Sequence, residues 1–116
     1  MGVENCIFCQ IADNRIPAER LHEDEFSLAF NDLEPQAPTH ILVIPKRHIA
    51  SLDKAGPDDE LTLGRLLLAA AHIARERGFS DNGYRVVINT NSDGGQTVFH
   101  LHVHLLAGRQ FIFPPG

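Results

Sequence analysis

At 116 residues, with 43% hydrophobic and 22% charged residues, the chain has the size and balance of one domain (1–116) around a single core. Ten basic against fifteen acidic residues leave a net charge of −5, and no basic run exceeds Lys46-Arg47, which argues against nucleic acid as a partner. The longest apolar stretch, Leu66 to Ala71, is far too short to span a bilayer, so no membrane association is expected.

The N-terminus carries Glu4 and Asn5 where a secretory leader carries a basic and then an apolar region, so a cytoplasmic address is expected. In that setting Cys6 and Cys9 read as thiols or metal ligands, not as a disulfide. "CIFCQIADNR" places Ile7, Phe8 and Ile11 at helical spacing and predicts a short helix ending before Pro17. "FSLAFND" alternates and runs into the turn-rich "EPQAP", predicting a strand over 26–31. The β-branched run "HILVIP" predicts a buried central strand that stops at Pro45 and pairs back on 26–31 as an antiparallel hairpin.

Residues 57–78 predict the one long helix. Pro57 and the acidic Asp58, Asp59 and Glu60 suit its start, Arg75 and Arg77 its end, and Gly78 its stop. Leu63, Leu66, Leu67, Ala70, Ile73 and Ala74 form its apolar stripe. "YRVVINT" predicts a further strand, "NSDGGQ" a glycine loop, and "VFHLHVHLLAG" the last strand. The result is an α+β fold: an antiparallel sheet packed against one long helix, with a short N-terminal helix. The apolar tail "FIFPPG" has neither strand nor helix pattern and needs a surface to lie on, in the monomer or on a second subunit. His22 and His72 are expected at the surface.

Three of the seven histidines, His100, His102 and His104, occupy alternate positions of the last strand and so share one face. Leu101, Val103 and Leu105 take the other face, toward the core. Three imidazoles in this register suit either a metal or nucleophilic chemistry at phosphorus, and chance placement is a poor explanation. Imidazole is a good nucleophile at neutral pH when a neighbour fixes its tautomer. The preceding loop favours phosphorus: Gly94 and Gly95 permit positive dihedrals that turn successive N–H groups toward an anion, Gln96 and Thr97 follow, and Asn89 offers a further donor.

"HLHVHLL" fits the His-φ-His-φ-His-φ-φ signature of the histidine triad (HIT) family. "DLEPQAPTHILVIPKRHI" and "NSDGGQTVFHLHVHLLAGRQ…PPG" closely resemble its Hint-like branch, over nearly the whole chain. The resemblance implies hydrolysis of purine nucleoside 5′-phosphoramidates, such as adenosine 5′-monophosphoramidate or lysyl-AMP, through a nucleotidyl-histidine intermediate. It also implies a homodimer whose sheet continues across the interface, and no cofactor for catalysis. The alternatives are a dinucleoside polyphosphate hydrolase and a nucleotide-binding scaffold with little turnover.

By the same resemblance His102 matches the nucleophile, His104 a phosphate contact, and His100 and His40 the supporting histidines. Thr97 lies near the leaving group, and Gly95, Gln96, Val98 and Asn89 on the phosphate side. Asp32 matches the ribose-binding acid, and Ile7, Phe8, Ile11, Phe30 and Leu33 the pocket for the base. Many bacterial members that keep the cysteine pair hold a structural zinc with two histidines, and the matching set is Cys6, Cys9, His48 and His100.

Overall fold

In the computed structural model, which describes residues 5–116, Cys6 opens the first helix, α1 (Ile7–Ala12), where its Sγ accepts the Cys9 N–H at 3.3 Å. Glu4 lies outside the described residues. Strands β1 (His22–Glu23), β2 (Ser27–Asn31) and β3 (Thr39–Pro45) follow, then α2 (Glu60–Glu76), β4 (Arg85–Val87) and β5 (Val103–Ala107). They form one antiparallel sheet in the order β1-β2-β3-β5-β4, and the expected hairpin is β2–β3, with Phe30 opposite Leu42. Among the described residues no helix is long and apolar enough to cross a membrane.

Alternation along the strands divides the interior into two layers. Ala29, Ile41, Val43, Leu101, Val103 and Leu105 face α2 and pack with its Leu66, Ala69, Ala70 and Ile73. Leu28, Phe30, Leu42 and Ile44 face the opposite way and pack under Phe8 and Ile11 of α1. The leucine and valine face of the histidine segment is thus the core face, as its pattern predicts. Leu105 is fully buried there, and Leu105→Ala is expected to cost roughly 2–5 kcal/mol, read as a lower urea midpoint at unchanged slope.

Four expectations are corrected. The long helix starts as a 3-10 turn at Pro57–Asp59, where the Asp59 carboxylate accepts the Gly56 N–H at 3.0 Å, and becomes α-helical only at Glu60. Gly78, at φ +84°, ends it as expected, with the Phe79 N–H returning to the Ala74 carbonyl. Leu67 is not in the stripe: it is 48% exposed beside Leu68, because the face toward the sheet runs through Leu66, Ala69, Ala70 and Ile73.

The third correction concerns the last two strands, which are much shorter than their sequence patterns. β5 pairs with β3 only up to Val43 opposite Val103. Before that point the chain leaves the sheet and bonds to the segment after β3: the Leu101 N–H donates to the Ile49 carbonyl, and the His100 Nε2–H to the Pro45 carbonyl. β4, whose partner is β5, is limited to Arg85–Val87. His22 is also not a plain surface residue, since its ring lies 5.4 Å from that of His72 on α2 and its Nε2 meets Asp24 at 3.2 Å.

Candidate active site and metal-ligand cluster

The sheet register positions the site. Phe30 on β2, Leu42 on β3 and His104 on β5 stand side by side, and one step along Asp32 and His40 stand together, joined by the Asp32 N–H to the His40 carbonyl at 2.9 Å. Neighbouring strands are about 4.8 Å apart, so β2 and β5 present their side chains roughly 10 Å from each other on one surface. A cleft of about 940 Å³ lies over this surface. Its β5 end holds His102 and His104 with Gly95, Thr97 and Val98, and its β2 end holds Asp32 and Leu33. Ile7, Phe8, Ile11, Phe30 and Leu42 give it an apolar wall, and His40 stands at the middle.

Hydrogen bonds fix the tautomers. The Gln36 N–H donates to His40 Nδ1 at 3.0 Å, so the neutral His40 ring carries its proton on Nε2. That proton points at His104 Nδ1, 2.8 Å away, which leaves the His104 proton on Nε2. Among the described residues His104 Nε2 is buried without a hydrogen-bond partner, a donor left over on a residue that lines the cleft. His102 is arranged differently. Its Nδ1–H donates to the carbonyl of His100 at 2.7 Å, so the lone pair is on Nε2. Phe8 packs edge-on against the His102 ring at 5.3 Å, and the His104 ring lies 5.0 Å from it. An imidazole lone pair and a hydrogen-bond donor therefore stand side by side.

Burial, with the neighbouring His102 and His40 imidazoles, lowers the pKa of His104 from its ordinary value to about 4, and Asp32 offsets this in part. Burial likewise lowers the pKa of His40, again opposed by Asp32. Both rings are neutral at physiological pH, as the relay requires. Because the unfolded chain takes up these protons first, stability is lost as pH falls from about 6.5 toward 4 and is constant with respect to these groups at neutral pH and above. We expect urea midpoints to drop between pH 7 and pH 5, above the main carboxylate range, and His104→Gln to reduce the drop. Midpoints that stay constant across that interval would contradict the assignment.

Asp32, His40 and His104 also bring one oxygen and two nitrogens within 4.8 Å of each other. The relay argues against a metal there, since Gln36 already occupies His40 Nδ1 and so places a proton on the nitrogen that would have to ligate. The other cluster has the opposite character. Cys6 and Cys9 from α1, His48 from the segment after β3, and His100 each offer one ligand atom within 4.8 Å of the others. His100 Nδ1 lies 3.2 Å from Cys6 Sγ, 3.4 Å from Cys9 Sγ and 3.2 Å from His48 Nδ1, and Cys9 Sγ lies 3.3 Å from His48 Nδ1. A tetrahedral zinc with ordinary bond lengths separates nitrogens by about 3.3 Å and nitrogen from sulfur by about 3.6 Å, so the set fits within a few tenths of an ångström. The Pro45 carbonyl takes the Nε2–H of His100, which leaves Nδ1 as a lone pair aimed into the cluster. Burial lowers the His100 pKa to about 4, keeping it in the neutral form that a metal needs.

The placement of the remaining candidates differs in part from the sequence reading. His100 belongs to the thiol cluster, as the matching set Cys6, Cys9, His48 and His100 implies, and does not line the cleft. Asn89 does not line it either, because its strand ends at Val87. The Gln96 side chain is committed to the backbone, accepting from the Asn91 N–H and donating to the carbonyls of Ala50 and Val98. The amides of Gly95 and Gln96 close the loop on Ser92 and Asn91, so they are not an anion cradle. Gly94 is needed for close approach, since a Cβ would meet the Thr90 carbonyl at 2.4 Å. Among the described residues the N–H groups of Thr97 and Val98 have no backbone acceptor, and both residues line the cleft. The amides left to meet an anion are thus two residues further along. Sequence reasoning missed Ile16 to Glu19, which extend the β2 end of the cleft; the apolar residues flanking Pro17 were the only local signal.

A five-stranded antiparallel sheet, backed by one long helix and carrying His40, His102 and His104 under a cleft, defines a small α+β protein built around clustered imidazoles. The chain belongs to the HIT domain family, whose profile matches residues 13–111. It is 52% identical over 113 residues to a HIT-like protein of Synechococcus elongatus, covering 97% of this chain and 98% of that one. Among solved structures it is similar to a HIT family hydrolase from Legionella pneumophila, with a TM-score of 0.94, 52% identity, and coverage of 97% of this chain and 100% of that chain. A zinc-bound histidine triad family protein from Mycobacterium smegmatis matches with a TM-score of 0.81 and 35% identity, over 94% of this chain and 78% of that one.

Proposed function

We propose that the protein hydrolyses purine nucleoside 5′-phosphoramidates, in the manner of the Hint-like branch, with His102 as nucleophile. The observation that carries this reading is the pair of opposite tautomers: His102 with its lone pair on Nε2, and beside it His104 with an unpartnered Nε2–H. The lone pair of His102 attacks the α-phosphorus, the bond from phosphorus to the leaving nitrogen breaks, and the amine departs with a proton drawn from solvent. Water then attacks the same phosphorus, the bond to Nε2 breaks, and nucleoside monophosphate is released. The His104 N–H and the Thr97 and Val98 amides meet the phosphoryl oxygens, where charge spreads in the transition state. Thr97, exposed at the cleft mouth, stands on the leaving-group side.

Asp32 accepts the ribose hydroxyls. Asp32→Asn is expected to weaken AMP binding about tenfold, as loss of a charge-assisted hydrogen bond does, with the fold unchanged. The base stacks among Ile11, Phe30 and Phe8, with the exposed Ile7 and Leu33 at the rim. Steady-state rates on adenosine 5′-monophosphoramidate and on diadenosine polyphosphates test the reading. The phosphoramidate is the better substrate by kcat/KM; preference for the polyphosphate favours the alternative hydrolase, and slow turnover of both favours the scaffold.

Cys6, Cys9, His48 and His100 hold a structural zinc ion, supported by the fit of the donor set and by the zinc-bound relative. Bound there, zinc ties α1 to the histidine segment, and catalysis needs no metal. Purified without chelator, the protein is expected to carry zinc, and less than about 0.2 per chain would contradict the site. Reduced thiols suit the cytoplasm. The chain pairs with a second copy through the unpaired edge of β4 and the exposed Leu61, Leu67 and Leu68 of α2.

A further inference from the structure

Two residues, His100 and Phe8, connect the thiol cluster to the cleft. His100 is held by its ring and used by its backbone. One ring nitrogen is bound to the Pro45 carbonyl at 2.8 Å and the other sits among Cys6, Cys9 and His48, while its carbonyl receives the Nδ1–H of His102. Whatever fixes the His100 ring fixes the carbonyl that sets the His102 tautomer.

Phe8 is the second connecting residue. It lies between Cys6 and Cys9 in α1, packs edge-on against His100 at 5.8 Å and His102 at 5.3 Å, and meets Phe30 at 5.5 Å as part of the cleft wall. A helix of six residues has little stability of its own. Its seat depends on its packing and on the two cysteines at either end of its first turn. Without a cation, the lone pair of His100 Nδ1 faces His48 Nδ1 and two sulfurs at 3.2–3.4 Å, so the donor to it is the Nδ1–H tautomer of His48 or a weak S–H, and one proton cannot satisfy all four groups. A bound cation satisfies all four groups at once and holds α1, His48 and His100 together.

We infer that Cys6, Cys9 and His48 are positioning residues for His102, acting through the His100 carbonyl and the Phe8 ring, so that cation binding in the cluster and nucleoside monophosphate binding in the cleft strengthen one another. This rests on the nucleotide and zinc readings above and adds the coupling between the two sites. Linkage requires that the coupling be reciprocal: the factor by which the cation tightens the nucleotide equals the factor by which the nucleotide tightens the cation.

The test uses the full chain, Zn²⁺ as the cation and AMP as the nucleotide. Calorimetry gives AMP affinity for the metal-free and zinc-loaded chain, and competition with a chromophoric chelator gives zinc affinity with and without AMP. Both affinities are expected to rise by the same factor, at least about fivefold. Long-range ¹H–¹⁵N spectra of the His102 ring read the positioning without any nucleotide. Zinc is expected to move these resonances to those of a single Nδ1–H tautomer. In Phe8→Leu, which keeps all four ligands, the His102 response persists while the AMP–zinc coupling falls. Equal AMP affinities in the two forms, His102 resonances indifferent to zinc, or failure to bind zinc would each overturn the inference. A His102 response in a protein that binds no AMP in either form would instead overturn the nucleotide reading and leave the positioning of His102 standing.

Discussion

His102→Asn is expected to reduce kcat/KM for adenosine 5′-monophosphoramidate by at least about 10³-fold, while AMP affinity changes by less than about threefold. The asparagine amide can still donate to the His100 carbonyl, as His102 Nδ1–H does at 2.7 Å, so the local packing under Phe8 is retained. What disappears is a nitrogen lone pair directed at phosphorus. The contrast between a large loss of turnover and a small change in binding separates a nucleophile from a residue that merely lines the cleft. Comparable losses in both quantities would mean that His102 acts in binding, and near-normal turnover would remove it from the mechanism.

The second large effect concerns the thiol cluster. Adding Zn²⁺ to the metal-free chain is expected to raise its thermal midpoint by more than about 10 °C, because a ligand present at about 1,000 times its Kd adds about 4 kcal/mol of stability. Cys9→Ser is expected to abolish most of that rise. Cys9 is buried on α1 and its sulfur meets both imidazoles of the cluster, so a hydroxyl there leaves the site without one of its two thiolates. An equal rise in wild type and Cys9→Ser would place the zinc effect elsewhere on the protein.

Patterns local to one element were legible in the sequence. Alternation in "HLHVHLL" placed Leu101, Val103 and Leu105 on the core face, and Pro57 and Gly78 bracketed the long helix. The hairpin of β2 and β3 followed from the turn-rich segment between two apolar runs. Contacts between distant segments were not legible. The histidine strand breaks before Val103 because the chain is drawn to the carbonyls of Pro45 and Ile49, and nothing in residues 97–102 announces that. The same holds for Gln96, whose side chain is spent on Ala50, 46 positions away. The apolar stripe takes in Leu67 because a stripe read from sequence has a width but no fixed centre; the sheet surface selects Leu66, Ala69, Ala70 and Ile73.

The division of labour among the three histidines came from the resemblance, and the hydrogen bonds give it a physical basis. His100 is turned toward Cys6 and Cys9, His102 donates at Nδ1, and His104 accepts at Nδ1. Three residues of one type in one alternating run thus differ in setting, and His102 alone carries its proton on Nδ1; the difference is written by backbone groups, the Gln36 N–H and the carbonyls of Pro45 and His100.

The most direct measurement is a rapid acid-free quench during turnover of adenosine 5′-monophosphoramidate, followed by intact-mass and peptide-mapping mass spectrometry. The account predicts a transient adduct of one adenylyl group on the peptide that contains His102, absent in His102→Asn. An adduct on another residue, or an adduct that forms unchanged in His102→Asn, would contradict it.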